Sequence, residues 1–162
     1  MATRDPQPTL DTVRAGLDQQ LSFIDEIDSK TGLFVSAGGA VLAVVPAVMA
    51  LRGDHQLNGV AIVALVLSAL SYAVVALFGY RVLKPTVWSD GPDADELAAR
   101  YHDHGMGDLE LATWIIATTY EAHRDNDGPL AVKVARYRVC FGALILETGV
   151  VFLALVALVL IH

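Results

Sequence analysis

Residues 139–161 read VCFGALILETGVVFLALVALVLI, with Glu147 the one charged residue among them. A helix needs about 20 mostly apolar residues to cross ~30 Å of hydrocarbon, and this stretch meets that length. Two further stretches do the same: residues 31–51 and 57–80 contain no Asp, Glu, Lys or Arg at all. Buried helices of soluble domains this size rarely run past about 14 apolar residues. The three stretches therefore set the expected fold class: an all-α membrane protein with three transmembrane helices. The spans are placed at 31–51, 60–82 and 139–161. The polar, acid-rich segment 1–30 ahead of the first span speaks against a cleaved signal peptide, which starts basic and turns apolar early.

The rest of the composition narrows the class. The chain has 162 residues, is 54% hydrophobic and 18% charged, and carries a formal net charge of -7. Disordered chains are poor in apolar residues, so most of this one folds. Cys140 is the only cysteine, which excludes a disulfide scaffold. The acidic balance argues against nucleic acid as a partner.

Orientation follows from Lys and Arg, not from net charge. Arg4, Arg14 and Lys30 precede the first span. Arg81, Lys84, Arg100, Arg124, Lys133, Arg136 and Arg138 lie between the second and third. The short loop at 52–59 has only Arg52. The expected topology is a multi-pass protein of the cell inner membrane, N-terminus cytoplasmic and C-terminus extracytoplasmic.

The cytoplasmic side then comprises 1–30 and 83–138. In the first, Leu10, Val13, Leu17, Leu21, Ile24 and Ile27 recur every three or four residues, giving an amphipathic helix with one apolar stripe. No Gly or Pro interrupts it from Leu17 to Lys30, so it continues into the first span. The stripe must be covered, either by the same chain or by another subunit. In the second, Asp93 and Glu96 form a capping-box pattern opening a short helix to about His102. Asp108 opens another to about Arg124. Asn126-Asp-Gly128 reads as a turn, and Pro129 suits the first turn of a helix that runs into the third span. The expected architecture is a cytoplasmic helical stalk and insert, with 83–138 as a helical sensor region.

Within the spans, Glu147 stands ~13 Å deep along its helix. Intramembrane carboxyls face the bundle interior and often carry function. Ser68, Ser71 and Tyr72 lie at matching depth on the second span, and Ser36, Gly38 and Gly39 on the first. Two roles are open: a protonated hydrogen-bonding staple, or a pore-lining or subunit-contact group. Pro46 should kink the first span, as a tolerated bend or a hinge. Ser36-Ala-Gly-Gly-Ala40 is a small-residue patch suited to helix contact.

Catalytic signatures are missing. No phosphate-binding glycine loop and no nucleophile elbow occur. His102, Asp103 and His104 alternate sides of a helix, so with His123 they read as a solvated helix end and not as a metal site. Cys140 reads as a small hydrophobe. The chain is expected not to be an enzyme, and to need no metal or cofactor.

Three short motifs point further. Asp28-Ser-Lys30-Thr-Gly32 leads straight into the first span, Leu83-Lys-Pro85-Thr-Val-Trp88 follows the second, and a helix bearing Lys133 precedes the third. This order resembles the transmembrane effectors of Pycsar antiphage systems. The resemblance implies antiviral defense by abortive infection. A partner pyrimidine nucleotide cyclase makes cyclic UMP or cyclic CMP on infection. The effector binds that cyclic pyrimidine mononucleotide through its cytoplasmic part and disrupts the inner membrane.

A cyclic nucleotide needs a basic group for its phosphate and an aromatic face for its base. The candidates are Arg100, Arg124, Lys133 and Arg136 with Trp88, Tyr101, Trp114 and Tyr120. Each also has a structural reading, as a snorkelling cation or an interfacial aromatic. Asp28, Lys30 and Pro85 mark the membrane boundary. Asp28 and Lys30 form a structural ion pair there, or a contact that couples stalk to spans. Three spans are too few for a roomy pore, so a homo-oligomer is expected in the lipid bilayer, with the Leu10–Ile27 stripe as one contact. Two other functions fit the residues: a constitutive small channel of holin type, and a non-toxic membrane anchor subunit of a protein complex.

Overall fold

The structure is a computed structural model, and it describes residues 6–52, 59–102 and 106–160. Asp103, His104 and most of the 52–59 loop lie outside the described residues. Among the described residues four helices follow one another: α1 (Gln7–Arg52), α2 (Gly59–Leu83), α3 (Ala94–His102) and α4 (Asp108–Leu160). No strand occurs among the described residues. Helices α1, α2 and α4 are each long and apolar enough to cross a membrane. The chain divides into two compact units, Met1–Glu26 with Pro85–Val132, and Ile27–Lys84 with Lys133–His162. They are called here the polar and the apolar unit.

In the polar unit, Leu10, Leu17 and Ile24 are buried on α1 at steps of seven residues, the spacing of a coiled-coil seam. On α4, Ile115, Thr119, Ala122 and Asn126 are buried. Leu10, Leu17 and Ile24 of the stripe are thus covered within their own chain. The buried members have little surface to offer a second copy, while Val13 and Leu21 stay half-buried.

Helix α3 starts at the expected cap. Asp93 Oδ1 accepts the Glu96 amide at 2.7 Å. The Glu96 carboxylate does not reach back, however; it accepts from Arg100 Nη2 at 3.3 Å, one turn on. The link from α2 to α3 turns at Gly91, whose φ of +84° is the left-handed region that favours glycine.

Helix α4 departs from the reading of residues 126–129. It passes through Asn126, Asp127, Gly128 and Pro129 without a break. Asn and Asp favour turns because their side chains bond nearby backbone. Here both are engaged elsewhere. Asn126 Nδ2 donates to the Ser89 carbonyl at 2.8 Å, and Asn126 Oδ1 accepts the Ser89 amide at 3.0 Å. Gln20 Nε2 donates to Asp127 Oδ1 at 3.0 Å and to the His123 carbonyl at 3.3 Å. With the local competitors occupied, the helix absorbs Pro129. Asn126→Ala should strand both polar groups of Ser89 and cost about 1–3 kcal/mol. Faster hydrogen exchange at the Ser89 amide, with a lower unfolding midpoint, is the expected readout.

The apolar unit is built inside out relative to a water-soluble domain. Leu33, Leu70, Leu146, Phe152 and Leu153 point outward, while Thr31, Ser68, Lys133 and Glu147 are buried. Apolar outside and polar inside is the arrangement that hydrocarbon favours as a solvent. Phe34 of α1 packs on Tyr137 and Phe141 of α4, with ring centroids 5.4 and 5.2 Å apart. α1 and α2 approach closely at Gly79, where a Cβ would overlap Val35 Cγ2.

Candidate functional site

The buried polar groups of the apolar unit follow a rule. On α4, Lys133, Cys140 and Glu147 recur every seven residues, all buried. On α2, Ser68, Val75 and Val82 do the same. On α1, Thr31 and Gly38 are seven apart and both buried. A seven-residue step returns to the same helix face when helices coil around one another, so each row faces the common interior.

One end of this interior holds an ion pair. Lys133 Nζ donates to Asp28 Oδ2 at 2.7 Å. The Lys133 side chain is 7% exposed and that of Asp28 36%. The lysine is the more buried member; the Asp28 side chain is partly exposed, although its Oδ1 is buried and without a partner. Thr31, one turn past Ile27 on α1, returns its hydroxyl to the Ile27 carbonyl at 2.7 Å. Further along α4, the Cys140 thiol donates to the Val75 carbonyl at 3.5 Å.

Glu147 lies deeper, fourteen residues or ~21 Å along α4 from Lys133. Its side chain is 0% exposed. Neither carboxyl oxygen has a hydrogen-bond partner, and the fully buried Ser68 hydroxyl is also without one. Gly38 and Tyr72 close the surroundings: a Cβ at Gly38 would lie 3.0 Å from both Glu147 Oε2 and Tyr72 Cδ2. The expected company of Gly38 and Tyr72 is thus found. Ser36 is elsewhere, exposed and bonded to the Gly32 carbonyl at 3.0 Å.

The eight candidate ligand residues are divided. Lys133 and Arg136 belong to the apolar unit, where Arg136 Nη1 donates to the Arg81 carbonyl at 3.3 Å. The other six belong to the polar unit. There the Arg100 guanidinium stacks over the Trp114 ring, 4.1 Å from its centroid. Beside Trp114 opens a largely apolar hollow of about 710 Å³, also lined by Met106, Leu109, Thr113 and Ala117. Tyr101 is exposed and packs edge-on against His102, with centroids 5.1 Å apart. Tyr120 and Arg124 are exposed, and Trp88 is half-buried. Lys30, near the middle of α1, and Pro85, in the link after α2, are exposed. Among the described residues, no three His, Cys, Asp or Glu side chains are placed to hold a metal.

Sequence reasoning named Lys133 and Glu147 separately and missed the row that joins them, as it missed the contact of Lys133 with Asp28. The signal was present: Thr119, Asn126, Lys133, Cys140 and Glu147 are polar or small and spaced by seven. No family model, curated protein or solved structure matches this chain.

Proposed function

We propose that the chain is a membrane effector of an antiphage system, held at rest until a cyclic pyrimidine nucleotide from a partner cyclase binds its polar unit. It then assembles as a homo-oligomer in the inner membrane, N-terminus in the cytoplasm, and impairs the barrier without catalysing a reaction. One observation carries this reading. Asp28 and Lys133, 105 residues apart, each belong to a motif behind the Pycsar resemblance, and they meet as an ion pair at 2.7 Å. The contact joins two of the motifs behind the resemblance, which supports reading them together.

In the polar unit, Arg100 and Trp114 supply the cation and aromatic face that a cyclic nucleotide needs. Asp108 and Glu110 also border the hollow, so the phosphate belongs on the Arg100 side. The ligand acts by binding the assembled state better than the resting one.

Expression in bacteria with and without a pyrimidine cyclase tests the proposal. Growth arrest and loss of membrane potential are expected only when both proteins and the messenger are present. Arrest by the chain alone would favour a constitutive channel. Normal growth and potential in both cases, with the protein inserted, would favour an anchor subunit.

A further inference from the structure

We infer that Glu147 is a proton-carrying carboxyl, the centre of a site inside the three-helix apolar unit that the Ser68 hydroxyl completes, with the Tyr72 ring alongside, and whose ligand is the proton. The carboxyl and the Ser68 hydroxyl are both fully buried and both without a partner. They are also level. Cys140 meets the Val75 carbonyl at 3.5 Å, and one seven-residue step in opposite chain directions leads from this pair to Glu147 and Ser68. α1 leaves room for the carboxyl by placing Gly38 there.

No counter-charge is at hand. Residues 31–51 and 57–80 contain no Asp, Glu, Lys, Arg or His, and Glu147 is the only such residue in 139–161. The titratable group facing it from α2 is Tyr72, α1 contributes Gly38, and on α4 itself Cys140 lies one seven-residue step away. A bare carboxylate would stand buried with no cation. The neutral acid suits the surroundings: its O–H supplies a donor for a hydroxyl oxygen, and its carbonyl accepts from a hydroxyl. A metal ion is a poor alternative, since hard cations take about six oxygens and this site offers one carboxyl with the Ser68 hydroxyl level with it. In each turn the resting acid gives its proton to water on one face, which leaves a transient carboxylate. A hydronium ion on the other face then gives its proton to that carboxylate and leaves as water, which restores the acid. No redox partner is involved.

The consequence rests on the proposed function: the membrane is impaired by a proton leak and not by gross disruption. The site itself does not depend on that reading. The test uses the full chain in liposomes under a potassium diffusion potential, with a pH dye and calcein entrapped, with and without cyclic UMP or cyclic CMP. Dicyclohexylcarbodiimide, an apolar reagent that adds to protonated carboxyls, is the chemical probe.

The expected result has three parts: the reagent labels Glu147, as located by peptide mass; proton uptake proceeds while calcein stays inside; and the reagent and Glu147→Gln each cut uptake by about tenfold or more. Glu147→Asp, which keeps an acid, retains part of the flux. Unchanged uptake in Glu147→Gln, absence of label on Glu147, calcein loss alongside the protons, or no uptake under any condition each overturns the inference. Glu147-dependent uptake that ignores nucleotide leaves the proton site standing and removes the gating. Nucleotide-triggered calcein release that survives Glu147→Gln does the reverse.

Discussion

Asp28→Ala destabilises the protein more than Lys133→Met, although both remove the same ion pair. The asymmetry follows from burial. Lys133 is 7% exposed, so loss of Asp28 leaves a buried ammonium without its carboxylate. Breaking a buried pair from that side costs about 3–5 kcal/mol. Asp28 is 36% exposed, with Oδ1 buried, so loss of Lys133 leaves a carboxylate that water reaches in part. Its cost is lower because the stranded charge stays partly solvated. Methionine also keeps the apolar stem of the lysine in place. The double variant Asp28→Asn with Lys133→Met has no charge to strand and recovers most of the loss, since a buried pair replaced by neutral groups is often nearly neutral in effect. Unfolding midpoints in detergent, combined as a double-mutant cycle, read the coupling. Equal losses for the two single changes would mean that the lysine is not the desolvated partner.

Gly79→Val forces α1 and α2 apart. Even a Cβ at this position overlaps Val35 Cγ2, and it also comes within 3.7 Å of Thr31 Cγ2 and 3.9 Å of Cys140 Sγ. Val35 is branched at Cβ and has few rotamers to retreat into. Overpacking of this kind costs about 1–3 kcal/mol. Val35→Ala should return much of that loss in the Gly79→Val background, whereas on its own it opens a cavity. Gly142 is the control. Nothing lies within 4 Å of a Cβ there, so Gly142→Ala should be neutral or stabilising by up to about 1 kcal/mol through helix propensity. The comparison, made by thermal unfolding in one detergent, separates a close helix contact from a general intolerance of span mutations.

These contrasts also show what kind of information the sequence makes visible. Charge-free stretches are a one-dimensional signal, and the three span-length helices were legible from them. So were the run of α1 through Lys30 and the Asp93 cap, which depend on neighbours within a turn. Residues 126–129 were misread because Asn, Asp, Gly and Pro all favour a break locally. What overrides them is Ser89, 37 residues away, and Gln20, more than a hundred residues away. The Asp28–Lys133 pair was hidden for the same reason: each residue was singled out, but nothing local joins them. The apolar stripe of α1 had two possible covers, and periodicity cannot tell a partner within the chain from one outside it. Glu147 was legible as a costly group and as a neighbour of Gly38 and Tyr72, because depth along a helix is simple arithmetic.

The central claim is that a cyclic pyrimidine nucleotide turns this three-span chain against the membrane. It is tested most directly with the purified full chain inserted in liposomes, titrated with cyclic UMP, CMP, AMP and GMP while ion flux is recorded. The account predicts flux triggered by a pyrimidine messenger and not by the two purine ones. Flux that needs no nucleotide, or no flux with any of the four in folded and inserted protein, would contradict it.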